Sequence, residues 1–517
     1  MIRSQQVQNI QKVRVRRSKR SKIVAGIGCF VLVFVVAFFG VQFVTKTGLF
    51  KVPGKVVVDD TLTVDEKELV EGLFREVTLD TDVVVTAENT LVQPKLDAGM
   101  FVTNILVAVT DFYDSKTNVD FADADAIWTE WLAEDGASGA GYELISFGEL
   151  NYKRKLLRIN GKYYLDDFTE GAMMRVLKFQ SEKYEQEVAE VVKTLPHLEL
   201  IQKDEVLTLA QTGVTAFSRL MNAKMNEVES GAYFAENLAE RLSSYDLTHT
   251  SNEASFVDAP SSSGATGTPI CSDRRFVDTL TAIGLDIVEL TGNHNLDCGV
   301  AAAEETIDIY HERNIKTYGG GKNAAEAAVP LEITEKENRV TLLAFNESTG
   351  GATEGDYPGA NQYSEERAAA QIKAAKDRGD LVIVDVQYFE CSMYVDTGED
   401  TTCDFADSAP GDQIGVFRHL IELGADVVVG TSAHQPQTYE IYGDGVIFYG
   451  LGNLFFDQAK WPGTSRSLVL VHHIYNNKLL QTEILPTRYD ESFQTRFLDA
   501  EEAGAFLGRL ASERPEA

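Results

Sequence analysis

Hydrophobic and polar positions fall into two rhythms along the chain. The runs "DTDVVVTAE", "VTNILVAVTDFYD", "RVTLLAFNES", "GDLVIVDVQYFE" and "ADVVVGTSAH" are short and apolar, and each ends in polar residues. Runs of that length, rich in valine and isoleucine, predict buried strands. In "TVDEKELVEGLF", "ADAIWTEWLAE", "KYEQEVAEVVKTL" (ended by Pro196), "AYFAENLAERLSSYD" and "SDRRFVDTLTAIG" the apolar residues recur at helical spacing. Ser272 is a ready N-cap for the last of these. From about residue 203 the two rhythms alternate, with further helices over 364–378 and 411–423. Strand–helix alternation predicts β-α-β units. The stretches "TYEIYGDGVIFYGLGNLFFDQ" and "SLVLVHHIYNNKLLQTEILPT" are rich in strand with hairpin turns, so the expected architecture is α/β, a layered sheet sandwich flanked by helices. The Ser/Gly-rich "APSSSGATGTP" reads as a surface loop.

The amino end has neither rhythm. Residues 1–22 hold eight Lys/Arg and no acid, and residues 23–44, "IVAGIGCFVLVFVVAFFGVQFV", hold no charge. That span is long enough to cross a hydrocarbon core as a helix. Basic residues on its amino side predict a cytoplasmic tail (1–22), a single transmembrane anchor (23–44) and everything later outside the membrane. A cleaved signal peptide is the alternative, with a shorter apolar region than this one. Beyond the anchor, the expected parts are a stalk (45–60), a smaller α/β domain (61–200), a large domain (203–490) and an acidic tail (491–517), which is a short helix or disordered.

The chain of 517 residues carries −32, and its first 44 residues contribute +8, so the remainder carries −40. Phosphate backbones recruit Lys and Arg, so this balance excludes nucleic acid as a partner. Cys271, Cys298, Cys391 and Cys403 fall in the part expected outside, where disulfides persist. Local spacing favours pairs 271–298 and 391–403. A zinc site is the rival, without a CxxC pair to support it.

Polar residues gather where predicted strands end: Asn252 and Glu253; Asn293, His294 and Asp297; Gln387 and Glu390; Ser432 and His434; and, after the later hairpin, Asn453 and Asp457. Open α/β sheets place their sites at strand carboxyl ends. Imidazole, amide and carboxylate side chains suit a hard or borderline divalent ion, which would acidify a bound water, with a histidine to protonate a leaving oxygen. The plain reading stands beside this one: Asn and Gly are ordinary turn residues, and a single loop histidine is commonly just hydrogen-bonded.

The stretches "LTGNHNLDCGVAAAEETIDIYHERNIKTYGGGKNAAEAAVP", "GADVVVGTSAHQPQTYEIYGDGVIFYGLGNLFFDQ" and "AYFAENLAERLSSYDLTHTSNEASF" resemble the CapA family of capsule (poly-γ-glutamate) synthesis, over residues 203–490. That family is similar to the calcineurin-like metallophosphatases, so the resemblance implies a metallophosphatase-like two-sheet sandwich. It implies Asn293 as a metal ligand, His294 as the acid or phosphate-contacting residue, and Asp297 as support for their loop. Asn252 and Glu253 match an Asn-x-Glu element approximately, and His434 matches the second histidine of Gly-His-x-His. Three positions depart from the pattern. Gln211-Thr212-Gly213 stands for Gly-Asp, Gln387 for a histidine and Ser432 for the first late histidine, so one divalent ion or none is expected. Earlier in the chain, "ILVAVTDFYDSKTNVDFADADAIWTEWL" with "FGELNYKRKLLRINGKYY" resembles a lobe of extracytoplasmic solute-binding proteins. An α/β adaptor without a ligand of its own is the alternative there.

The expected function is a membrane-anchored envelope protein in the synthesis, export or attachment of a capsular or other surface polymer, working with envelope biosynthesis machinery. A metal-dependent phosphoester or polymer hydrolase and a non-catalytic envelope scaffold are the alternatives. An acidic polymer needs local contacts, and Arg274, Arg275 and Lys322 are the candidate donors.

Overall fold

The structure is a computed structural model that describes residues 55–74, 82–95, 100–132, 141–181, 201, 203–261, 269–347, 350–388, 413–458 and 463–515. The basic tail, the uncharged span 23–44, the helix expected at 183–195, Glu390, Cys391 and Cys403 lie outside these residues. Among the described residues no helix is long and apolar enough to cross a membrane.

The chain divides into two compact units. The first takes its described residues from 1–107, 120–136 and 168–200. Strands Val56–Val58, Val83–Val92 and Glu170–Gln180 lie side by side, with Met100 onward paired to the other side of Glu170–Gln180. Helix Val64–Phe74 buries Val70, Leu73 and Phe74 against Val83, Val85, Leu177 and Phe179. Arg175 is almost fully buried and holds Glu66 through two bonds, 3.0 Å from Nε and 2.8 Å from Nη2. Trp128 lies under its guanidinium at 4.6 Å. A buried charge needs such a partner, because an unpaired one costs several kcal/mol.

The second unit takes its described residues from 108–119, 137–167 and 201–517. The boundary therefore departs from the expected 61–200 and 203–490. Two excursions, at 108–119 and 137–167, belong with the later residues: Ile441 N donates to Tyr113 Oη at 2.8 Å, and Leu156 N to Gln481 Oε1 at 3.0 Å. In chain order the strands of its two sheets are β1 (Leu207–Ala216), β2 (Leu247–Asn252), β3 (Leu285–Glu289), β4 (Lys316–Tyr318), β5 (Leu331–Glu335), β6 (Asn338–Asn346), β7 (Leu381–Gln387), β8 (Val427–Thr431), β9 (Tyr439–Tyr442), β10 (Gly445–Phe448), β11 (Asn453–Phe456), β12 (Arg466–Tyr475), β13 (Lys478–Tyr489) and β14 (Thr495–Phe497). One sheet runs β4-β3-β2-β1-β12-β13-β14, with β11 also paired to β1. The other runs β5-β6-β7-β8-β10-β9. β1 to β4 are mutually parallel, as are β6, β7, β8 and β10.

Side-chain alternation builds the layers. On β7, Leu381 and Ile383 join the core between the sheets, while Val382, Val384 and Val386 face helices Glu365–Arg378 and Gln413–Glu422. On the first sheet, Leu207 and Leu209 face inward; Ala210, Val288, Val469 and Val471 pack against Met221, Met225, Leu280, Ile307 and Tyr310. The unit is a mixed α/β sandwich, two sheets with helices on both outer faces. Helix Glu365–Arg378 starts on the Ser364 cap and stops at Gly379, whose φ of 80° suits a glycine.

The carboxyl end differs from the expected separate tail. β14 adds to the first sheet, and helix Ala500–Ser512 begins with a capping box of Asp499 and Glu502. Its acidic residues face water, while Phe506, Leu507 and Leu510 enter the core between the sheets. The helix expected over 232–246 is instead two single turns, Ala232–Ala235 and Ala239–Leu242. Nothing in the packing explains that break.

The same inward parity carries polar groups into the sandwich. The Tyr318 hydroxyl donates to Asp385 Oδ2 at 2.6 Å and stands 2.9 Å from His249 Nε2. Gln211 Nε2 donates to Asp385 Oδ1 at 2.5 Å, and its Oε1 meets His472 Nε2 at 3.2 Å. Burial drives both histidines down to about 3, so they are neutral. Burial, then the charge of Glu289, pushes Asp385 well above the usual carboxylate range.

Candidate functional site

The strand carboxyl ends bring one set of side chains together. Glu253 follows β2, Asn293 follows β3, Gln387 ends β7, and Thr431 ends β8 just before His434. Glu253 is fully buried. Its Oε1 accepts from Gln387 Nε2 at 3.4 Å, and its Oε2 lies 3.7 Å from His434 Nε2. The same Gln387 Nε2 donates to Asn293 Oδ1 at 3.3 Å, and Gln387 Oε1 accepts from the Thr431 hydroxyl at 3.1 Å. Asn453 completes the set. Its Nδ2 donates to the Thr464 carbonyl at 3.1 Å and to Gln458 Oε1 at 3.2 Å, so its Oδ1 is the acceptor for His434 Nδ1 at 2.9 Å. That fixes the ring: Nδ1 carries a proton and Nε2 turns to Glu253. Phe456 packs edge-on to the His434 ring at 4.9 Å.

The glycine of "GNH" has a steric reason. A Cβ on Gly292 would stand 2.6 Å from Glu253 Cα and 2.8 Å from its Cγ, so only glycine lets this loop lie on Glu253. Asn295 ties the loop from within, donating to the carbonyls of Gly292, Leu290 and Asn252.

Other expected site residues serve elsewhere. Asn252 spends its amide on the strand end, donating to Ala254 O at 2.9 Å, and takes no part in the set around Glu253. His294 Nδ1 meets Asp297 Oδ2 at 3.0 Å, and Ile270 N donates to that same oxygen at 2.9 Å. Cys271 and Cys298 are bonded, with Cα atoms 6.0 Å apart, so the segment at Ile270 is fastened over the loop. Asp297 thus supports His294, but no hydrogen bond links His294 to Glu253, Asn293, Gln387 or His434. Ser432 takes a φ of 81°, and it is Thr431, one residue earlier, whose hydroxyl enters the set. Asp457 pairs with Arg219: Nε donates at 2.9 Å, and Leu220 N donates at 2.5 Å. Burial pushes its carboxyl up to about 6.

Arg219 escaped the sequence reading. It follows β1 at a φ of 47°, and its guanidinium covers the Phe456 ring at 5.2 Å, the ring that packs against His434. The expected cations are occupied at the surface: Arg274 with Asp258 and Glu305, Arg275 with Asp273, Lys322 with Asp308.

The donor set tests the implied metal. Among the described residues no three His, Cys, Asp or Glu side chains stand close enough to hold an ion. Where an imidazole lone pair is needed, Gln387 turns an N–H donor toward the two oxygens that would be ligands. An N–H cannot ligate. The residues present do not fit a two-ion centre.

Residues 208–458 match the family model described as bacterial capsule synthesis protein PGA_cap. The capsule biosynthesis protein CapA of Bacillus anthracis is 25% identical over 221 residues, 42% of this chain and 50% of that protein. The PGA biosynthesis protein CapA of Bacillus subtilis (strain 168) is 27% identical over 226 residues, 43% of this chain and 55% of that protein. The chain spans about half the length of these curated relatives. A solved structure of a putative 5′-nucleotidase from Staphylococcus aureus in complex with α-ketoglutarate aligns over 58% of each chain, with 13% identity and a TM-score of 0.33. Residues 208–458 thus carry the domain described by the bacterial capsule synthesis model, and over it the chain is similar to the CapA proteins.

Proposed function

We propose that the chain is a membrane-anchored, extracytoplasmic accessory protein in the synthesis, export or attachment of an acidic surface polymer of the poly-γ-glutamate kind. The observation that carries this is the capsule-family domain with Glu253, Asn293, Gln387 and His434 gathered at one strand edge. The charge-free span 23–44 behind a basic tail supports the anchor. Between the remaining readings, binding is favoured over hydrolysis, because Gln387 and Ser432 stand where the family resemblance implies histidine ligands.

Cells in which the protein is replaced by the double variant Glu253→Ala, His434→Ala provide the test. The expected result is surface polymer at the level of a deletion strain with normal amounts of the protein, and digestion of the large part of the chain by protease added outside. Wild-type amounts of polymer would remove the cluster from this role, and full protection from the protease would reverse the topology.

A further inference from the structure

We infer that the side-chain amide of Gln387 takes the place of a metal ion. Three observations carry this. Its Nε2 faces two oxygens from different strand ends, Glu253 Oε1 at 3.4 Å and Asn293 Oδ1 at 3.3 Å. A cation would bridge the same pair. Its Oε1 accepts from the Thr431 hydroxyl at 3.1 Å on the other side. In the opposite orientation its Oε1 would face the Glu253 carboxylate oxygen, which when ionised has no hydrogen to give. Finally, the position is closed: Gln387 and Glu253 are fully buried, and Gly292 lies against Glu253 with no room for a Cβ.

Two hydrogens on one nitrogen therefore draw the β2 and β3 loops together, the structural task of an ion. They supply no Lewis acidity and activate no water. The cluster is a preformed polar support beneath the strand-end loops, and it keeps its shape when metal is stripped. This inference does not depend on which polymer the protein meets.

The full-length chain is stripped with chelator, dialysed against zinc or manganese, and its metal counted by mass spectrometry. The expected wild-type result is substoichiometric metal, with an unfolding temperature unchanged by either ion, since an ion that does not bind the folded state cannot stabilise it. Gln387→His restores a lone pair and is expected to raise metal affinity by about tenfold or more, the scale on which a single group near a metal acts. One ion per wild-type chain, lost in Gln387→Ala, would overturn the inference by showing that Gln387 ligates through its oxygen. A metal-dependent rise in the wild-type unfolding temperature would do the same without any variant. A Gln387→His chain that is folded by circular dichroism yet gains no metal also counts against it.

Discussion

Replacing both Cys271 and Cys298 by alanine is expected to destabilise the second unit by about 3.5 kcal/mol in the chain-entropy account of a crosslink. The input is the separation of 27 residues. The loss reaches the site, because the bridge holds Ile270 where its N–H meets Asp297, and Asp297 holds His294. Reducing agent acting on the wild-type chain is expected to lower the denaturation midpoint by the same amount and to leave the alanine variant unchanged. Peptide mapping without reductant is expected to recover the 271–298 pair. Free thiols at both positions, or equal midpoints for the two proteins, would refute the role given to this bridge.

Glu289→Gln is expected to stabilise the protein, and more so as pH rises. Glu289 is fully buried at the end of β3, and burial pushes its carboxyl up to about 7. A carboxyl raised on folding binds its proton more tightly in the folded state. Its contribution is complete below the ordinary carboxylate range and is lost as pH climbs through about 7. At about 1.4 kcal/mol per pH unit, the wild type carries a penalty of roughly 3 kcal/mol above that value. The neutral amide removes the penalty. Unfolding curves at pH 5 and pH 8 are the measurement: the two proteins should nearly coincide at the lower pH and separate at the higher. Parallel pH dependence would show that Glu289 stays charged.

Most of the sandwich was legible because its strands are apolar on both faces and end abruptly in polar residues. The gathering of Glu253, Asn293, Gln387 and His434 followed from the rule that parallel strands share one carboxyl edge. Thr431 was legible too. On β8, Val427 and Val429 face between the sheets, and alternation puts Thr431, not Ser432, on that side. Matching motif letters hid this, and the turn to positive φ at Ser432 completed the displacement. Asp385 and Gln387 share a face with Leu381 and Ile383 by the same count. The final helix was one of the two forms expected for the tail, but its packing was not, because its charges were weighed without its stripe of Phe506, Leu507 and Leu510. The exchange of residues 108–119 and 137–167 between the units rests on contacts more than three hundred residues apart in sequence, such as Tyr113 with Ile441, which no local pattern encodes. Arg219 lies in "TAFSRLMNAK" and had no motif to mark it.

The central claim is that a local site, not the overall field, meets an acidic polymer. Residues 45–517 carry −40, and poly-γ-glutamate carries a carboxylate on every residue. Like charges repel over a Debye length, about 8 Å at physiological salt. Retention of poly-γ-glutamate on the immobilised full-length chain, measured across a salt series, tests this directly. The expected result is weak retention at low salt that strengthens as moderate salt screens the repulsion. Retention that is strongest at low salt and fades steadily, or none at any salt, would contradict it.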